Sequence, residues 1–234
     1  MIRVQPFTRL GHFRNEWLNA RHHFSFGEYR DPARMGFGAL RVWNDDEIAP
    51  GTGFDPHPHR EMEIITFIRE GAITHRDSLG NEGRTEAGDV QVMHAGTGIV
   101  HAEYNREAGP TRLFQIWIHP NRARVAPGWE TRHFPRAEEG GLKVLASGDA
   151  ADQEAGALPL YADGAVLAGT LTAGAKVHHP LAAGRGAYLV AARGALSVNG
   201  IAVGERDGVE ITGEAAVEIT APAESEVVLV EVGA

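Results

Sequence analysis

Short apolar segments separated by turn residues run along the whole chain, and this spacing constrains the fold more than any other feature. Residues 61–71 alternate apolar and polar side chains and end in a glycine, residues 72–81 run into a Gly-Asn turn, and residues 111–119 stop at Pro120. Strands that recur every 8–12 residues between such turn signals are typical of all-β sandwiches and barrels. The sequence therefore predicts an all-β protein.

The second half of the chain repeats this pattern. Residues 186–219 show strand, glycine, strand, Asn-Gly turn and strand, and they align with residues 65–93. This match suggests an internal duplication, and 234 residues are enough for two domains. Because residues 121–164 have little apolar periodicity, we place the boundary near residue 132. We expect an N-terminal domain of residues 1–132 and a C-terminal domain of residues 133–234.

The composition excludes several classes of function. The chain has no cysteine, so disulfides, thiolate metal sites and cysteine nucleophiles are excluded. The formal net charge of −9 argues against nucleic-acid binding, because phosphate contacts need an excess of lysine and arginine. The chain shows neither a secretory signal pattern nor an apolar run long enough to span a membrane. We expect a cytoplasmic protein without membrane contact.

Two short pairs of potential metal ligands stand out in this sequence. His57 and His59 form "HPH", and His101 and Glu103 form "HAE". Residues i and i+2 of a strand share a face, and Pro58 favours an extended backbone at His57. If the two strands meet inside a barrel, they present three imidazoles and one carboxylate. This donor set suits Fe(II), Mn(II), Ni(II), Cu(II) or Zn(II) without choosing among them.

The other histidines have competing explanations. A single H-x-H pair is a weak signal, because histidine serves many roles besides metal binding. We expect His22 and His23 to be surface or capping residues rather than ligands. His75 and His94 either line the cavity or have local structural roles.

Several further residues are candidates for the wall of a cavity. Gln115 interrupts an apolar strand, and a buried polar group needs a partner, so Gln115 is expected to face a polar cavity. Phe24, Phe26 and Tyr29 either wall the mouth of that cavity or simply pack in the core.

The two ligand pairs lie in stretches that resemble the two cupin motifs. These are "GTGFDPHPHREMEIITFIREG" and "GDVQVMHAGTGIVHAEYN". The last gap of the first is one residue longer than usual, the Gly-to-His gap of the second is two residues longer, and His94 replaces the usual proline. These departures resemble the pirin family, as do "GHFRNEWLNARHHFSFGEY", "DPARMGFGALRVWNDDEIAPGTGF" and "FQIWI". The resemblance covers residues 8–120, and only a bicupin architecture carries over to the rest.

The pirin resemblance implies two stacked cupin barrels, of the jelly-roll or double-stranded β-helix type, with one metal in the N-terminal barrel. Matched residue by residue, it implies His57, His59, His101 and Glu103 as ligands, and Fe(II) is the metal we expect. Many cupins use the first-motif glutamate instead, here Glu63, which shares a face with His57 if the strand is unbroken. We expect Glu103 as the ligand and Glu63 beside it, where it would orient a ligand histidine.

The resemblance also implies an activity, quercetin 2,3-dioxygenase. A flavonol such as quercetin and O₂ would be the substrates, the central ring would open, and CO would leave. Open coordination positions on the metal suit this chemistry, and Glu103 or Glu63 is the candidate base. The alternative is a non-enzymatic, metal-dependent, redox-sensing regulator with a protein partner. A sugar-type isomerase on the same fold is less favoured, because the motifs match pirins specifically.

The second half of the chain lacks an equivalent ligand set. It offers His178 and His179 but no H-x-E partner. We therefore expect one metal per chain, held by the N-terminal domain.

Overall fold

The structure is a computed structural model that describes residues 1–134 and 141–233. Regular structure in these ranges is nearly all β-strand, which confirms the predicted class. The first half contains β1 (Ile2–Gln5), β2 (Gly11–Arg14), β3 (Leu18–His22), β4 (Leu40–Ile48), β5 (Gly53–His59), β6 (Glu63–Glu70), β7 (Ala72–Asp77), β8 (Glu82–Glu86), β9 (Asp89–His94), β10 (Ile99–Tyr104), β11 (Thr111–Ile118) and β12 (Gly128–His133).

The second half follows the same style. It contains β13 (Lys143–Ser147), β14 (Leu158–Pro159), β15 (Gly164–Leu171), β16 (Lys176–Pro180), β17 (Arg185–Arg193), β18 (Leu196–Val198), β19 (Ile201–Val203), β20 (Gly208–Thr212), β21 (Ala216–Thr220) and β22 (Ser225–Gly233). The helical elements of the described ranges are a 3-10 turn at Phe7–Arg9 and the α-helix α1 (Ala150–Glu154).

The N-terminal barrel is made of two facing antiparallel sheets. The larger sheet has the order β12-β9-β6-β11-β4-β3-β2, and the smaller has the order β5-β10-β7-β8. Successive residues of a strand point to opposite faces. Ile68 of β6 points into the barrel and packs with Ile73 of the smaller sheet, whereas Ile65 and Phe67 point outward into a core between the two halves.

The C-terminal barrel has the same two-sheet plan and an apolar interior. Its sheets have the orders β1-β20-β17-β22-β15-β13-β14 and β16-β21-β18-β19. Strand β1 pairs with β20, so residues 2–5 are an exception to the expected division at residue 132, which otherwise stays a prediction. The side chains that fill this barrel are aliphatic and include Leu167, Val177, Leu189, Val217, Ile219 and Leu229.

Aromatic residues join the two barrels. Trp43, Phe114 and Tyr188 belong to one buried cluster, with Trp43 and Tyr188 at 5.6 Å between ring centroids. A partly buried ion pair crosses the same region, in which Arg206 Nε donates to Asp45 Oδ2 at 2.5 Å. The barrels therefore share a packed interface.

Local turn signals and edge strands differ in how well the sequence predicts them. The Asn199-Gly200 turn has the positive φ angles of 46° and 80° that favour a tight hairpin, and it joins β18 to β19 as expected. Strands β12 and β13 fall in the segment that lacks apolar periodicity, and β12 is only half-buried along its length. The sequence therefore gives no period-2 signal for β12.

Candidate metal centre

Three histidines converge at one end of the N-terminal barrel. Strands β5 and β10 are antiparallel neighbours, and His57 lies directly opposite His101. The ring centroids lie 4.5 Å apart for His57 and His101, 4.8 Å for His57 and His59, and 5.0 Å for His59 and His101. One ligand nitrogen from each histidine lies within 4.8 Å of the others, which makes this group a candidate metal site.

Glu103 lies near this group, with a carboxylate oxygen within 4.8 Å of a ring nitrogen of His101. Within the described residues, Glu103 forms a second possible metal-binding group with His75 and His101. The pairing of β10 with β5 shifts register between His101 and Glu103, so Glu103 pairs with Phe54. Three of the four residues implied by the resemblance therefore form one group, and the fourth, Glu103, is grouped with His101 and His75 instead.

The protonation pattern of His57 follows from its hydrogen bond. His57 Nδ1 lies 2.7 Å from the carbonyl oxygen of Asp55. A carbonyl oxygen only accepts, so Nδ1 carries the proton and Nε2 keeps its lone pair. A metal-ligating histidine is commonly oriented in this way by a backbone carbonyl.

A chain of hydrogen bonds fixes His101 in the same tautomer as His57, with the proton on Nδ1. His75 Nε2 donates to Asp77 Oδ2 at 3.1 Å, so His75 Nδ1 accepts from His101 Nδ1 at 3.4 Å. This leaves a lone pair on His101 Nε2, which is buried and has no hydrogen-bond partner in the structure. A buried polar atom without a partner is rare and costly. Both histidines thus offer an Nε2 lone pair, and this donor set fits a divalent transition metal.

The pKa values of two of these histidines are low. Burial, then the neighbouring His101 and His57, lowers the pKa of His59 to about 4. Burial, then His57 and His75, lowers the pKa of His101 to about 3. Both imidazoles are therefore neutral near pH 7, the form in which histidine binds metal.

Two glutamines and two tryptophans hold the Glu103 carboxylate. Gln91 Nε2 donates to Glu103 Oε1 at 2.5 Å, and Gln115 Nε2 donates to Oε2 at 2.9 Å. The indole N–H groups of Trp129 and Trp117 donate to the Oε1 atoms of these glutamines, at 3.1 and 3.2 Å. Because indole can only donate, it turns each amide so that its NH₂ group faces Glu103.

This network settles the expectation for Gln115 and adds residues that the sequence analysis missed. Gln115 faces a polar cavity, as predicted. Gln91 and Trp129 were missed, although Gln91 also interrupts an apolar strand, "VQVM". Asp77, which orients His75, carried no sequence signal because its role depends on the pairing of β7 with β10.

Glu63 lies on the opposite side of the sheet from the histidines. Strand β5 ends at His59, Glu61 has a φ of 47°, and β6 begins at Glu63, so the unbroken strand assumed above is wrong. Glu63 points away from the barrel interior, like Ile65 two residues later. Its Oε2 atom lies 2.6 Å from His94 Nδ1 and accepts from the backbone N–H of Tyr161 at 3.0 Å. These contacts do not support Glu63 as a partner of a ligand histidine or as the base.

His22, His23 and His94 pack away from the three converging histidines, whereas His75 lies beside them. His22 and His23 are buried, which corrects the surface expectation: His22 Nδ1 lies 2.8 Å from Asn44 Oδ1, and His23 Nδ1 lies 2.8 Å from the Tyr188 hydroxyl. His75 lines the site and stacks on Trp129, with ring centroids 4.9 Å apart. His94 contacts Tyr161 between the two halves instead, at 4.8 Å.

The three aromatic residues expected at the mouth of the cavity lie in different places. Phe26 meets Trp117 edge-on at 5.4 Å, and Trp117 meets His59 at 4.9 Å, so both aromatic rings wall the site. Tyr29 stacks on His22 with ring centroids 6.3 Å apart. Phe24 instead packs on Tyr188 in the core between the barrels.

The histidines of the C-terminal barrel pair with glutamates. His178 is exposed and contacts Glu218 across the β16–β21 pair. His179 Nε2 lies 2.7 Å from Glu231 Oε2. Within the described residues, neither histidine belongs to a group that could hold a metal.

Comparison with known proteins finds relatives that match almost the whole chain. The pirin family model matches residues 3–118, and the model described as the quercetinase C-terminal cupin domain matches residues 144–232. A protein of Pseudomonas aeruginosa, provisionally named a quercetin 2,3-dioxygenase, is 60% identical over 233 residues and covers 99% of this chain and 100% of its own. The chain belongs to the pirin family. The predicted bicupin architecture is thereby confirmed.

Two Escherichia coli proteins provide more specific comparisons. The quercetin 2,3-dioxygenase of this organism is 39% identical over 233 residues, with 99% of each chain covered. The crystal structure of a bacterial pirin in complex with nickel(II) matches with a TM-score of 0.93 and 38% identity, and covers 100% of this pirin and 99% of its own chain. In the described part of this pirin, no helix is both long and apolar enough to cross a membrane.

Proposed function

We propose that this pirin is a metal-dependent dioxygenase that cleaves flavonols such as quercetin with O₂ and releases CO. The convergence of His57, His59 and His101, with Nε2 lone pairs free on His57 and His101, is the observation that carries this proposal. The name of the Escherichia coli relative supports the reaction class. The cytoplasmic location expected from the sequence is part of the same proposal.

The proposed metal ligands are His57, His59, His101 and Glu103. The three imidazoles are close enough to share one ion, and Glu103 follows His101 on the same strand. We propose Fe(II) as the native metal; nickel(II) in the related Escherichia coli crystal structure shows that more than one ion must be tested. A divalent transition metal bound here would supply a Lewis acid and positions for a substrate oxygen and O₂.

Glu103 is also the proposed base. Each of its oxygens accepts one amide hydrogen bond, and a carboxylate oxygen has a second lone pair that can accept a proton. The flavonol 3-hydroxyl would transfer its proton to Glu103. The two glutamine donors stabilise the charged carboxylate before the transfer and hold it in one orientation, which favours a short proton path.

The aromatic walls would orient a planar substrate. Trp117 stands nearly perpendicular to His59, at an interplanar angle of 85°, and Trp129 lies flat on His75. Flat aromatic surfaces beside the histidines favour planar rings and exclude water. A flavonol has the planarity and the hydroxyl group that this site requires.

The test is turnover with defined metal. The metal-free protein is reconstituted with Fe(II), Ni(II), Mn(II), Cu(II) or Zn(II), and quercetin loss, O₂ uptake and CO release are followed together. We expect one O₂ consumed and one CO released per quercetin. A fully loaded protein without flavonol turnover would contradict the proposal and favour the regulatory alternative. The exposed variant His178→Ala serves as a control, because it changes a histidine outside the site.

A further inference from the structure

A pocket lies next to the candidate metal centre, because Trp117 lines the pocket and also contacts His59. Its volume is about 280 Å³, close to the lower end of the range for small-molecule pockets, which begins at roughly 300 Å³. Its lining includes the apolar side chains of Phe26, Val42, Met62 and Trp117 and the guanidinium groups of Arg30 and Arg41. The pocket therefore combines flat apolar surface with positive charge.

Trp117 connects this pocket to the candidate metal centre. It lies 4.9 Å from His59 on one side and lines the pocket together with Phe26 and Met62. Its indole N–H is bound to Gln115, which fixes the plane of the ring. A planar molecule bound by the histidines would reach the pocket along this ring.

The two arginines of the pocket have no carboxylate partner in the part of the chain that the structure describes. Arg41 donates from Nη1 to the backbone carbonyl of Ser25 at 2.8 Å. In residues 1–134 and 141–233, neither Arg41 nor Arg30 forms an ion pair with a carboxylate, whereas Arg34, Arg112 and Arg185 do. A chain with a net charge of −9 thus leaves two guanidinium groups unneutralised at the same pocket. Guanidinium groups recognise carboxylates and sulfates through paired N–H donors.

We propose that this pocket selects an aromatic substrate that carries an anionic group, a carboxylate or a sulfate. The hydroxyl to be deprotonated would lie at the histidines, the ring would lie on Trp117, and the anionic group would pair with Arg41 and Arg30. This inference rests on the proposed function, because it names the substrate class for the same site. Neutral flavonols would fill the site without using the arginines.

The first experiment measures binding to the metal-free protein, without turnover. 2-Naphthoate and 2-naphthol have the same rings and differ in charge, and their dissociation constants are measured by calorimetry. We expect 2-naphthoate to bind about tenfold more tightly, as for one added charge-assisted contact. Arg41→Gln and Arg30→Gln should each reduce this preference severalfold, and Arg41→Lys should restore part of it.

A matched control completes the binding test. Arg193→Gln removes an exposed arginine of the C-terminal barrel and should leave the preference unchanged. Equal binding of the two probes, or a preference that survives in the Arg30→Gln/Arg41→Gln double variant, would overturn the pocket assignment.

The turnover arm separates this inference from the proposed function. In the loaded protein, a flavonol sulfonate should show a higher kcat/KM than the parent flavonol, and Arg41→Gln should remove that advantage. Absence of turnover with both flavonols would contradict the proposed function, while the binding preference would still decide the pocket. Turnover with no advantage for the sulfonate would contradict the pocket alone.

Discussion

The two barrels share one architecture, but the N-terminal interior contains a polar site and the C-terminal interior is aliphatic. In the N-terminal barrel, paired strands β5 and β10 place His57 opposite His101, and the interior behind them holds Glu103 between two glutamines. In the C-terminal barrel, the matching pair β16 and β21 places Val177 opposite Ile219, and both belong to the aliphatic core. The same strand pair thus builds a polar site in one barrel and a hydrophobic core in the other.

The two interiors make different contributions to the protein: one provides a packed apolar core, and the other provides the candidate site. The aliphatic barrel can be packed without buried polar groups, which favours stability. The polar barrel buries a carboxylate and several histidines, and each needs a specific partner. The aromatic interface packs the polar barrel against the aliphatic one. We infer that the C-terminal barrel mainly supports the site of the N-terminal barrel.

The largest expected effect is the loss of activity in His101→Ala. His101 belongs to both possible metal-binding groups, and its Nε2 atom has no hydrogen-bond partner among the described residues. Even outer partners of metal ligands cost about 10–100-fold in affinity or activity, so loss of a ligand should cost about 100-fold or more. Quercetin turnover after Fe(II) loading measures the effect. Equal activity in His101→Ala and in the control His178→Ala would show that the barrels do not differ as described.

The second prediction compares the two buried glutamates of the N-terminal half. Glu103→Gln removes the proposed base and should lower kcat on the order of 100-fold. Glu63→Gln lies at the interface between the barrels, next to His94 and Tyr161, and should leave kcat within about threefold. Steady-state kinetics of both variants decide the choice. A larger loss in Glu63→Gln would return the catalytic role to Glu63.

The third prediction concerns the aliphatic core of the C-terminal barrel. Leu189 is fully buried in the aliphatic core, so Leu189→Ala should lower the free energy of unfolding by about 2–5 kcal/mol. Metal binding by the folded variant should stay unchanged, because Leu189 lies in the C-terminal barrel and the proposed metal ligands lie in the N-terminal barrel. Denaturant unfolding and metal titration measure the two quantities. A loss below about 0.5 kcal/mol, as at a surface position, would contradict a packed core.

The smallest expected effect is a pH dependence from the interface. Burial, then the positive charges of Arg34 and Arg206, lowers the pKa of His23 well below its usual value. Unfolded histidine binds a proton below about pH 6.5 while folded His23 stays neutral, so the free energy of unfolding falls as pH drops through that value. In His23→Gln, the difference in unfolding free energy between about pH 7.5 and about pH 5 should be smaller. An unchanged difference in His23→Gln would refute this role.

The sequence predicted what is local. Period-2 alternation and Asn-Gly or Gly-Asn turns gave the strands and hairpins, because these signals act within a few residues. The motif spacing gave the family, whereas the assignment of the two pairs as metal ligands stays a prediction. Gln115 could be placed because a polar residue in an apolar strand needs a partner.

What the sequence missed depends on distant pairing or on a local break in the chain. The pairing of β1 with β20 joins residues more than 200 positions apart, which no short pattern records. The left-handed residue Glu61 separates β5 from β6 and turns Glu63 away from the histidines. Asp77 and Gln91 acquire their roles only after β7, β9 and β10 come together.

The most direct test of the difference between the barrels is the number of metal ions bound per chain. Purified protein is loaded with Fe(II) without oxygen, freed of excess metal, and analysed by elemental analysis alongside His101→Ala and the His178→Ala/His179→Ala double variant. We expect one ion per chain in the original protein and in the double variant, and none in His101→Ala. Two ions per chain, or an ion lost only in the double variant, would contradict the assignment of the metal to the N-terminal barrel.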